Sequence, residues 1–320
     1  IDRSKYRGET MRTALLLLGF DRVDYFAKTL TSLAANPEAH EHDLHLYLDG
    51  GPKARQDDLI KLVEESNFAT PTIVRRDSNW GVGRHLIDAR RSLFDQQGYD
   101  RIILFEDDMT LYPDYVKTVL NLSDWSQKYS DVGTVMAYNL NPSSKEDQEK
   151  SLDEIIVTNR HFWGYCITKK VWDDIKDIIY QYENKYIGSI PYNDRPHRRI
   201  RMFFIRRWMK KGRRILPGEK LAPEALLLAP FPKFPWWSPT SQDAITALAL
   251  WVRGYCRLTT VVPRARYIGE KGLHFSPEVF KAQGFDSQQD YDFSETSQSN
   301  DFTLLTKNAQ GEPLKPGTYE

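Results

Sequence analysis

The chain has 320 residues, of which 40% are hydrophobic and 28% are charged, proportions that are ordinary for a globular protein with one large α/β domain or two small ones. Lysine plus arginine and aspartate plus glutamate each number 44, so the net charge gives no argument for nucleic acid as a partner. No apolar run reaches the about 18 residues that a transmembrane helix needs, which argues against a membrane-spanning segment.

Apolar runs alternate with amphipathic segments over the first half of the chain. The apolar runs predict buried strands at residues 12–19, 45–48, 72–74, 102–105 and 132–137. The segments between them predict helices over residues 24–35, 53–65 and 114–127, and a further helix that follows a glycine-bearing loop at 79–83. This alternation is typical of a doubly wound α/β fold with a mainly parallel central sheet flanked by helices.

The pattern changes beyond residue 140. Residues 141–154 are polar and predict a surface loop. The strands and helices predicted beyond this loop lie at 155–158, 163–168, 170–180 and 242–253. Residues 195–214 interleave basic and aromatic side chains, and residues 217–239 are rich in proline and aromatic residues, which predicts a fixed irregular loop. The tail from residue 286 is polar and is predicted to be extended or partly disordered.

The strand at residues 102–105 ends abruptly in an acidic run of three residues, Glu106, Asp107 and Asp108. Ligands of open α/β sheets bind at the carboxyl ends of the strands, so the acidic run falls where a ligand would lie. Adjacent carboxylates repel each other, and a divalent cation such as Mg²⁺ or Mn²⁺ would neutralise them. The alternative is a solvated acidic turn, which would be the better interpretation of a lone pair of aspartates. A full acidic run, after which Pro113 opens the next helix, favours a binding site.

The acidic run, followed by Met109 and by the Pro-Asp-Tyr sequence at 113–115, resembles the metal-binding motif of GT-A glycosyltransferases. The likeness is to N-acetylglucosaminyltransferase I and to related inverting transferases of bacterial polysaccharide synthesis. It covers residues 12–285 and implies the GT-A, Rossmann-like α/β fold of nucleotide-diphospho-sugar transferases. The organisation that it implies is a single domain at 1–285, with a nucleotide-binding half at 12–138, an acceptor half at 155–285, a basic and aromatic insertion at 182–239, and a polar tail at 286–320.

The resemblance assigns the acidic run and two strand ends to the donor. It implies that Asp108 binds the metal, Mn²⁺ or Mg²⁺, which bridges the donor phosphates as a Lewis acid. It also implies that Glu106 and Asp107 contact the ribose, the sugar or metal-bound water. Arg22, after the first strand, would lie near the diphosphate, and Asp49, after the second strand, would accept the imide N–H of uracil. A simple Asp-Gly-Gly turn is the alternative for Asp49.

A glycine-bearing segment and a late histidine add to this predicted donor site. Asn79 and Gly81 resemble the Asn-x-Gly-x-Gly segment that borders the donor in many GT-A enzymes, because glycine permits a close approach of the backbone to a ligand. Arg84 follows at a helix start, where a cation opposes the helix dipole unless a phosphate lies beside it. His274 matches a late histidine that ligates the metal or approaches the phosphates in many GT-A enzymes. The alternative for the glycine-bearing segment is a loop followed by a helix cap, and the alternative for His274 is a structural histidine.

The predicted acceptor side is centred on Asp243. Residues 242–272 resemble the C-terminal half of the family's catalytic domain, in which an acid at the start of a helix deprotonates the acceptor hydroxyl, and Asp243 matches that base. An acid stabilised by the helix dipole is the alternative. Trp163, Trp236 and Trp237 are predicted to stack on sugar rings of the acceptor, with core packing as the alternative for Trp163.

These residues together predict a metal-dependent inverting glycosyltransferase. It would move a sugar from a UDP-linked nucleotide-sugar donor, with UDP-N-acetylglucosamine as the nearest family example, to a hydroxyl of a glycan, glycolipid or glycoprotein acceptor. One alternative is a sugar nucleotidyltransferase, although the glycine-rich, lysine-bearing loop of that class is replaced by Gly-Phe-Asp-Arg at residues 19–22. The other is a non-catalytic, membrane-docking glycan-binding module of the same fold.

The basic stretch at 195–214 has three interpretations: a solvated helix face, a surface that docks on an anionic membrane, or a site for a phosphate-bearing acceptor. Nucleic acid is not predicted as a partner, because the chain contains no recognised RNA- or DNA-binding module. Cys166 and Cys256 are far apart in sequence, which favours a reduced protein, cytoplasmic or peripheral on the cytoplasmic membrane face, without excluding an oxidising compartment. The start at Ile1 instead of methionine leads us to expect a trimmed fragment of a longer product.

Overall fold

The secondary structure comes from a computed structural model that describes residues 11–66, 68, 70–160, 162–188, 190–191, 194–211, 213–222, 240–272, 276–291, 293, 301–307, 311 and 314. The strands are β1 Thr13–Gly19, β2 Asp43–Leu48, β3 Thr72–Arg75, β4 Arg101–Phe105, β5 Met109–Leu111, β6 Val132–Met136, β7 Glu154–Val157, β8 Cys166–Thr168, β9 Cys256–Thr260, β10 Ala265–Tyr267 and β11 Thr303–Leu304. The α-helices are α1 Val23–Ala34, α2 Gln56–Glu65, α3 Gly81–Arg91, α4 Tyr115–Ser126, α5 Lys145–Glu149, α6 Lys169–Tyr182, α7 His197–Lys211, α8 Gln242–Arg253 and α9 Pro277–Ala282.

One nine-stranded sheet dominates the described part of the chain, with the strand order β11-β7-β9-β6-β8-β4-β1-β2-β3. β4, β1, β2 and β3 run parallel to one another, as do β6 and β9. β8 is antiparallel to its two neighbours β4 and β6, and β7 is antiparallel to β9. A separate antiparallel pair joins β5 to β10. The predicted α/β fold, with a mainly parallel central sheet flanked by helices, is confirmed.

The central strands are buried on both faces, because helices pack against each side of the sheet. All residues of β1 are buried, and its side chains alternate between two hydrophobic cores. Leu15 and Leu17 face the core that α1, α2 and α4 cover, whereas Leu16 and Leu18 face the core that α3, α6 and α8 cover. Burial on both faces is the reason why β1 is a continuous apolar run without alternating polar residues.

Two segments differ from the sequence-based predictions. Residues 141–154 contain the helix α5 and are not a loop throughout, because Ser144 Oγ accepts a hydrogen bond of 3.2 Å from the backbone amide three residues on and caps the helix. The strand predicted at 163–168 is shortened to β8, because Gly164 has a φ of +61° and interrupts the extended backbone. A Cβ at Gly164 would lie 2.1 Å from the Tyr115 hydroxyl, so only glycine fits at this position.

The polar tail contributes to the sheet. Its strand β11 pairs in parallel with β7, and the neighbouring Phe302 is buried in one of the two cores. Trp125 Nε1 donates a hydrogen bond of 2.9 Å to Asp301 Oδ1, which fastens the tail to α4.

Strands from both predicted halves of the chain share one sheet, and the division of the chain into domains stays a prediction. None of the described helices has the length and apolar character to cross a bilayer.

Candidate active site

The predicted donor residues lie at one edge of the sheet. β4, β1 and β2 are adjacent and parallel, so their carboxyl ends lie side by side. Arg22 follows β1, Asp49 follows β2, and the acidic run at 106–108 follows β4. Asp243 is in the first turn of α8 and lies near this edge as well. Its neighbour Gln242 has its Cβ 3.8 Å from the Cβ position of Gly83 at the start of α3, and the charge of Asp243 helps to raise the pKa of Glu106.

Arg22 is joined directly to the acidic run. Its Nε donates a hydrogen bond of 3.2 Å to Asp107 Oδ2, and its Nη2 donates to Asp107 Oδ1 and, at 2.9 Å, to Asp108 Oδ2. Burial by itself would lower the pKa of Arg22, but the charges of Asp107 and Asp108 outweigh burial and raise that pKa above its ordinary value. Arg22 therefore neutralises part of the acidic run, and its predicted contact with the donor diphosphate stays a prediction.

One carboxylate oxygen of Asp108 has no hydrogen-bond partner among the residues that the structure describes. The side chain is buried, and within the described residues its Oδ1 makes no hydrogen bond. Burial raises the pKa of Asp108, while Arg22 and a hydrogen bond with Tyr267 act in the opposite direction. A buried polar atom without a partner is costly, and a carboxylate oxygen is the ligand that Mg²⁺ and Mn²⁺ prefer, so this atom fits a divalent cation.

The other acids at this edge are also destabilised in their charged forms. Burial raises the pKa of Asp107 to about 6, against the opposing charge of Arg22. Burial raises the pKa of Glu106 well above its usual range, and repulsion from Asp108 and Asp243 raises it further. Carboxylates gathered in this way are stabilised by a cation that lies among them.

The cation would depend on the donor for part of its coordination. Within the described residues, no group of three His, Cys, Asp or Glu side chains is placed to hold a metal. Magnesium typically takes one or two carboxylates from the protein and its other oxygens from substrate phosphates and water, which suits Asp108 as the protein ligand. His274, the second predicted ligand, lies outside the described residues.

Asp49 fastens the loop after β3 to the end of β2. Its Oδ1 accepts hydrogen bonds from the backbone amides of Gly50, at 2.9 Å, and Trp80, at 2.8 Å, and its Oδ2 accepts one from Gly81 at 2.9 Å. A carboxylate has about four acceptor positions, so these three bonds leave about one for a nucleotide base. The predicted contact of Asp49 with uracil stays a prediction, and Asp49 has a structural task beside it.

The loop that Asp49 holds carries the other predicted donor residues. Asn79 is exposed, and Gly81, with a φ of +70°, begins α3 in a conformation that favours glycine. The guanidinium of Arg84 lies 3.7 Å from the centroid of the Trp80 ring, so a cation–π contact holds it beside the helix start. Asn79, Gly81 and Arg84 thus lie within or directly after the segment that Asp49 holds, and their contact with a donor stays a prediction.

Asp243 is held by its neighbour in the first turn of α8. Gln242 Nε2 donates a hydrogen bond to Asp243 Oδ1, and Ser241 caps the helix with a hydrogen bond of 3.3 Å from the amide of Ala244. Burial raises the pKa of Asp243, and the charges of Arg90 and Arg257 oppose this increase. A partly exposed carboxylate with a raised pKa has the character that a general base needs.

Of the three predicted acceptor tryptophans, the structure describes one, Trp163. The ring of Trp163 stacks on the ring of Tyr267, with 3.9 Å between centroids and 4° between planes, and it also packs against Tyr138 and Phe285. One face of Trp163 is therefore covered by the protein, and its stacking on a sugar stays a prediction. Trp236 and Trp237 lie outside the described residues.

Two residues of the site were not singled out from the sequence. Arg90 is fully buried and its charge acts on Asp243. Its burial could have been predicted, because Leu86, Ile87 and Leu93 surround it at helical spacing. Tyr267 joins the Trp163 ring to Asp108, and no sequence pattern indicates that contact, because β10 reaches the site only through its pairing with β5.

No protein-family model and no curated protein matches this chain. It is similar in structure to TarS residues 1–349 of S. aureus, at 12% identity and a TM-score of 0.40 over 62% of this chain and 66% of that one. It is also similar to the mannosyltransferase PcManGT of Pyrobaculum calidifontis, solved with GDP-Man and Mn²⁺, at 14% identity and a TM-score of 0.40 over 77% and 70%. The fold class given above rests on the sheet topology of this chain.

Proposed function

We propose that this protein is a metal-dependent glycosyltransferase that moves a sugar from a UDP-linked donor to a hydroxyl of a glycan or glycoconjugate, with inversion at the anomeric carbon. The observation that carries the proposal is that Asp243 lies close enough to the acidic run, which ends β4 at the carboxyl edge of the sheet, for its charge to act on Glu106. Inverting transfer needs a base on the acceptor side and a cation-binding acid on the donor side, and Asp243 and Asp108 supply these two chemistries at one edge.

Each residue has a separate task in the proposed reaction. Asp108 would hold Mn²⁺ or Mg²⁺, and the bound cation would supply positive charge to the donor diphosphate. Asp49 and Arg22 orient the nucleotide. Asp243 accepts the proton of the acceptor hydroxyl while the hydroxyl oxygen forms a bond to the anomeric carbon. The bond from that carbon to the phosphate oxygen breaks on the opposite face, and UDP leaves with the electron pair. N-acetylglucosamine is the donor sugar that the family likeness favours.

Donor hydrolysis tests this function without knowledge of the acceptor. Water takes the place of the acceptor hydroxyl, and we expect UDP release from one member of a panel of nucleotide sugars in the presence of Mn²⁺. Release should stop when EDTA removes the metal, because the charged diphosphate then has no cation beside the acidic run. If no donor is hydrolysed and calorimetry detects no metal-dependent nucleotide binding, the proposal is wrong and the binding-module alternative stands.

The partner of the acceptor side is proposed to be an anionic membrane surface that carries the acceptor. α7 buries Ile200 and Phe204 in the core, so its outward face consists of other residues. That face carries the exposed side chains of Arg198, Arg199 and Arg206, and α7 contains no acidic residue. At the start of α7, a hydrogen bond of 2.6 Å joins His197 Nδ1 to Thr240 Oγ1 just before α8, so a surface bound there would lie near Asp243.

Replacing Arg198, Arg199 and Arg206 together by glutamine is expected to weaken binding to vesicles that contain phosphatidylglycerol about 100-fold, because each exposed cation contributes about 1 kcal/mol near an anionic surface. Vesicle flotation at increasing salt measures the effect. The control replaces three exposed cations, Arg55 just before α2, Lys61 in α2 and Arg75 in β3, and should leave binding unchanged. Wild-type protein that does not float, or floats equally on neutral vesicles, would contradict the proposal.

A further inference from the structure

A polar seam between α3 and α8 lies directly behind Asp243. At its start, the Cβ position of Gly83 on α3 lies 3.8 Å from Gln242 Cβ on α8. Two turns further along α3, Arg90 reaches the same glutamine and also Thr246, one turn along α8. Buried apolar residues of both helices, among them Leu86, Ile87, Ile245 and Leu248, surround this seam of polar groups.

Arg90 is a cation buried among neutral partners. Its side chain has 0% exposure. Its Nη1 donates hydrogen bonds of 3.2 Å to the Tyr165 hydroxyl and 3.3 Å to Thr246 Oγ1, and its Nη2 donates one of 3.3 Å to Gln242 Oε1. A buried charge is costly unless an opposite charge compensates it, and the charge of Arg90 acts on the carboxylate of Asp243.

Gln242 links the two charged groups in a fixed orientation. Arg90 has only donors, so the amide oxygen of Gln242 must face it. The amide nitrogen then faces the other way and donates to Asp243 Oδ1. Without Arg90, the amide oxygen of Gln242 would lose the donor that holds it, and only the hydrogen bond to Asp243 would orient the amide.

We propose that Arg90 is a positioning residue for Asp243, acting through the side-chain amide of Gln242. The inference rests on the proposed function, in which Asp243 is the base. Arg90 touches neither donor nor acceptor; it fixes the glutamine, and the glutamine fixes the carboxylate oxygen that receives the proton. Arg257, whose pKa burial lowers to about 9, also acts on Asp243, and the charge of Asp243 in turn acts on Glu106.

A double-mutant cycle on the rate of donor hydrolysis tests the inference. Arg90→Met and Gln242→Met are each expected to lower kcat about 10- to 100-fold, because a base misplaced by about 1 Å loses up to that factor. The KM for the donor should change less than about twofold, because Asp243 is on the acceptor side. The double variant should lose no more than either single variant, since both changes break the same link. A purely structural role of Arg90 would give losses that multiply.

Arg101→Met is the matched control for burial of a cation. Arg101 is also a buried arginine, but it lies at the amino end of β4, where it contacts Thr13 and Asp124. We expect this variant to lose thermal stability with kcat unchanged. If Arg90→Met does not fold, Gln242→Met carries the test, and its effect on kcat should disappear in an Asp243→Asn background.

The outcomes separate this inference from the proposed function. A wild-type protein that neither hydrolyses a donor nor binds one with metal overturns both. A wild-type protein that is active, and that loses activity in Asp243→Asn but keeps its full kcat in Arg90→Met and Gln242→Met, overturns only the positioning role. Losses that multiply in the double variant overturn it as well.

Discussion

Replacing Asp243 by asparagine is expected to lower kcat for donor hydrolysis about 100- to 10,000-fold, the range that general-base catalysis contributes. Asparagine keeps the shape of the side chain but cannot accept the proton of the attacking hydroxyl. Donor binding should be nearly unchanged, because Asp243 acts on the acceptor side. Steady-state UDP release at saturating donor gives kcat, and calorimetry gives the dissociation constant of the donor.

The control for Asp243 is another acid that interacts with α8. Asp177 on α6 accepts hydrogen bonds of 2.8 Å from Arg253 at the opposite end of α8, so Asp177→Asn also neutralises one acid beside α8. It should keep wild-type kcat. Equal rates in Asp243→Asn and wild type would mean that another group receives the proton.

Replacing Asp108 by asparagine is expected to lower kcat/KM for the donor by about 100-fold or more, because the charge stabilisation that a metal supplies is worth several kcal/mol. A second readout does not depend on catalysis. In the wild type, Mn²⁺ and UDP together should raise the Tm, since a ligand that binds only the folded state stabilises it. In Asp108→Asn this increase should vanish, because the carboxylate oxygen that fits the cation is gone.

Asp124→Asn is the control for Asp108. Asp124 pairs with Arg101 at the amino end of β4, away from the acidic run, so its removal should leave the Mn²⁺-dependent increase in Tm intact. If Asp108→Asn keeps both the increase in Tm and the activity, the metal is bound elsewhere, and the assignment of Asp108 is wrong.

The parts of the fold that could be predicted are those in which one short segment carries its own signal. The buried run of β1 and the periodic apolar residues of α1, which include Phe26 and Leu30, are local patterns, and both elements form where they were expected. The strand order could not be predicted in the same way. β8 lies between β4 and β6 because of long-range packing, and nothing in its few residues specifies these neighbours.

In the candidate site, too, local patterns could be predicted from the sequence and long-range contacts could not. The acidic run could be identified because three acids end an apolar strand. Two contacts of the site depend on which strand ends lie side by side, and so could not be predicted. Arg22 pairs with the acidic run, and the carboxylate of Asp49 accepts hydrogen bonds from the amides of a different loop. Arg90 shows the opposite case, because its apolar neighbours in α3 made burial predictable and only its partners were not.

The position of β9 has a consequence for the order in which the chain folds during synthesis. β9 lies between β6 and β7, although residues 256–260 leave the ribosome long after residues 132–157. At ordinary rates of translation the delay is roughly 10 s, and during that time β6 has an open edge and β7 lacks the strand it pairs with. β11, near the end of the chain, then pairs with the other side of β7. The nascent protein should therefore depend on chaperones or rapid completion at this edge of the sheet, while β1 to β4 assemble early.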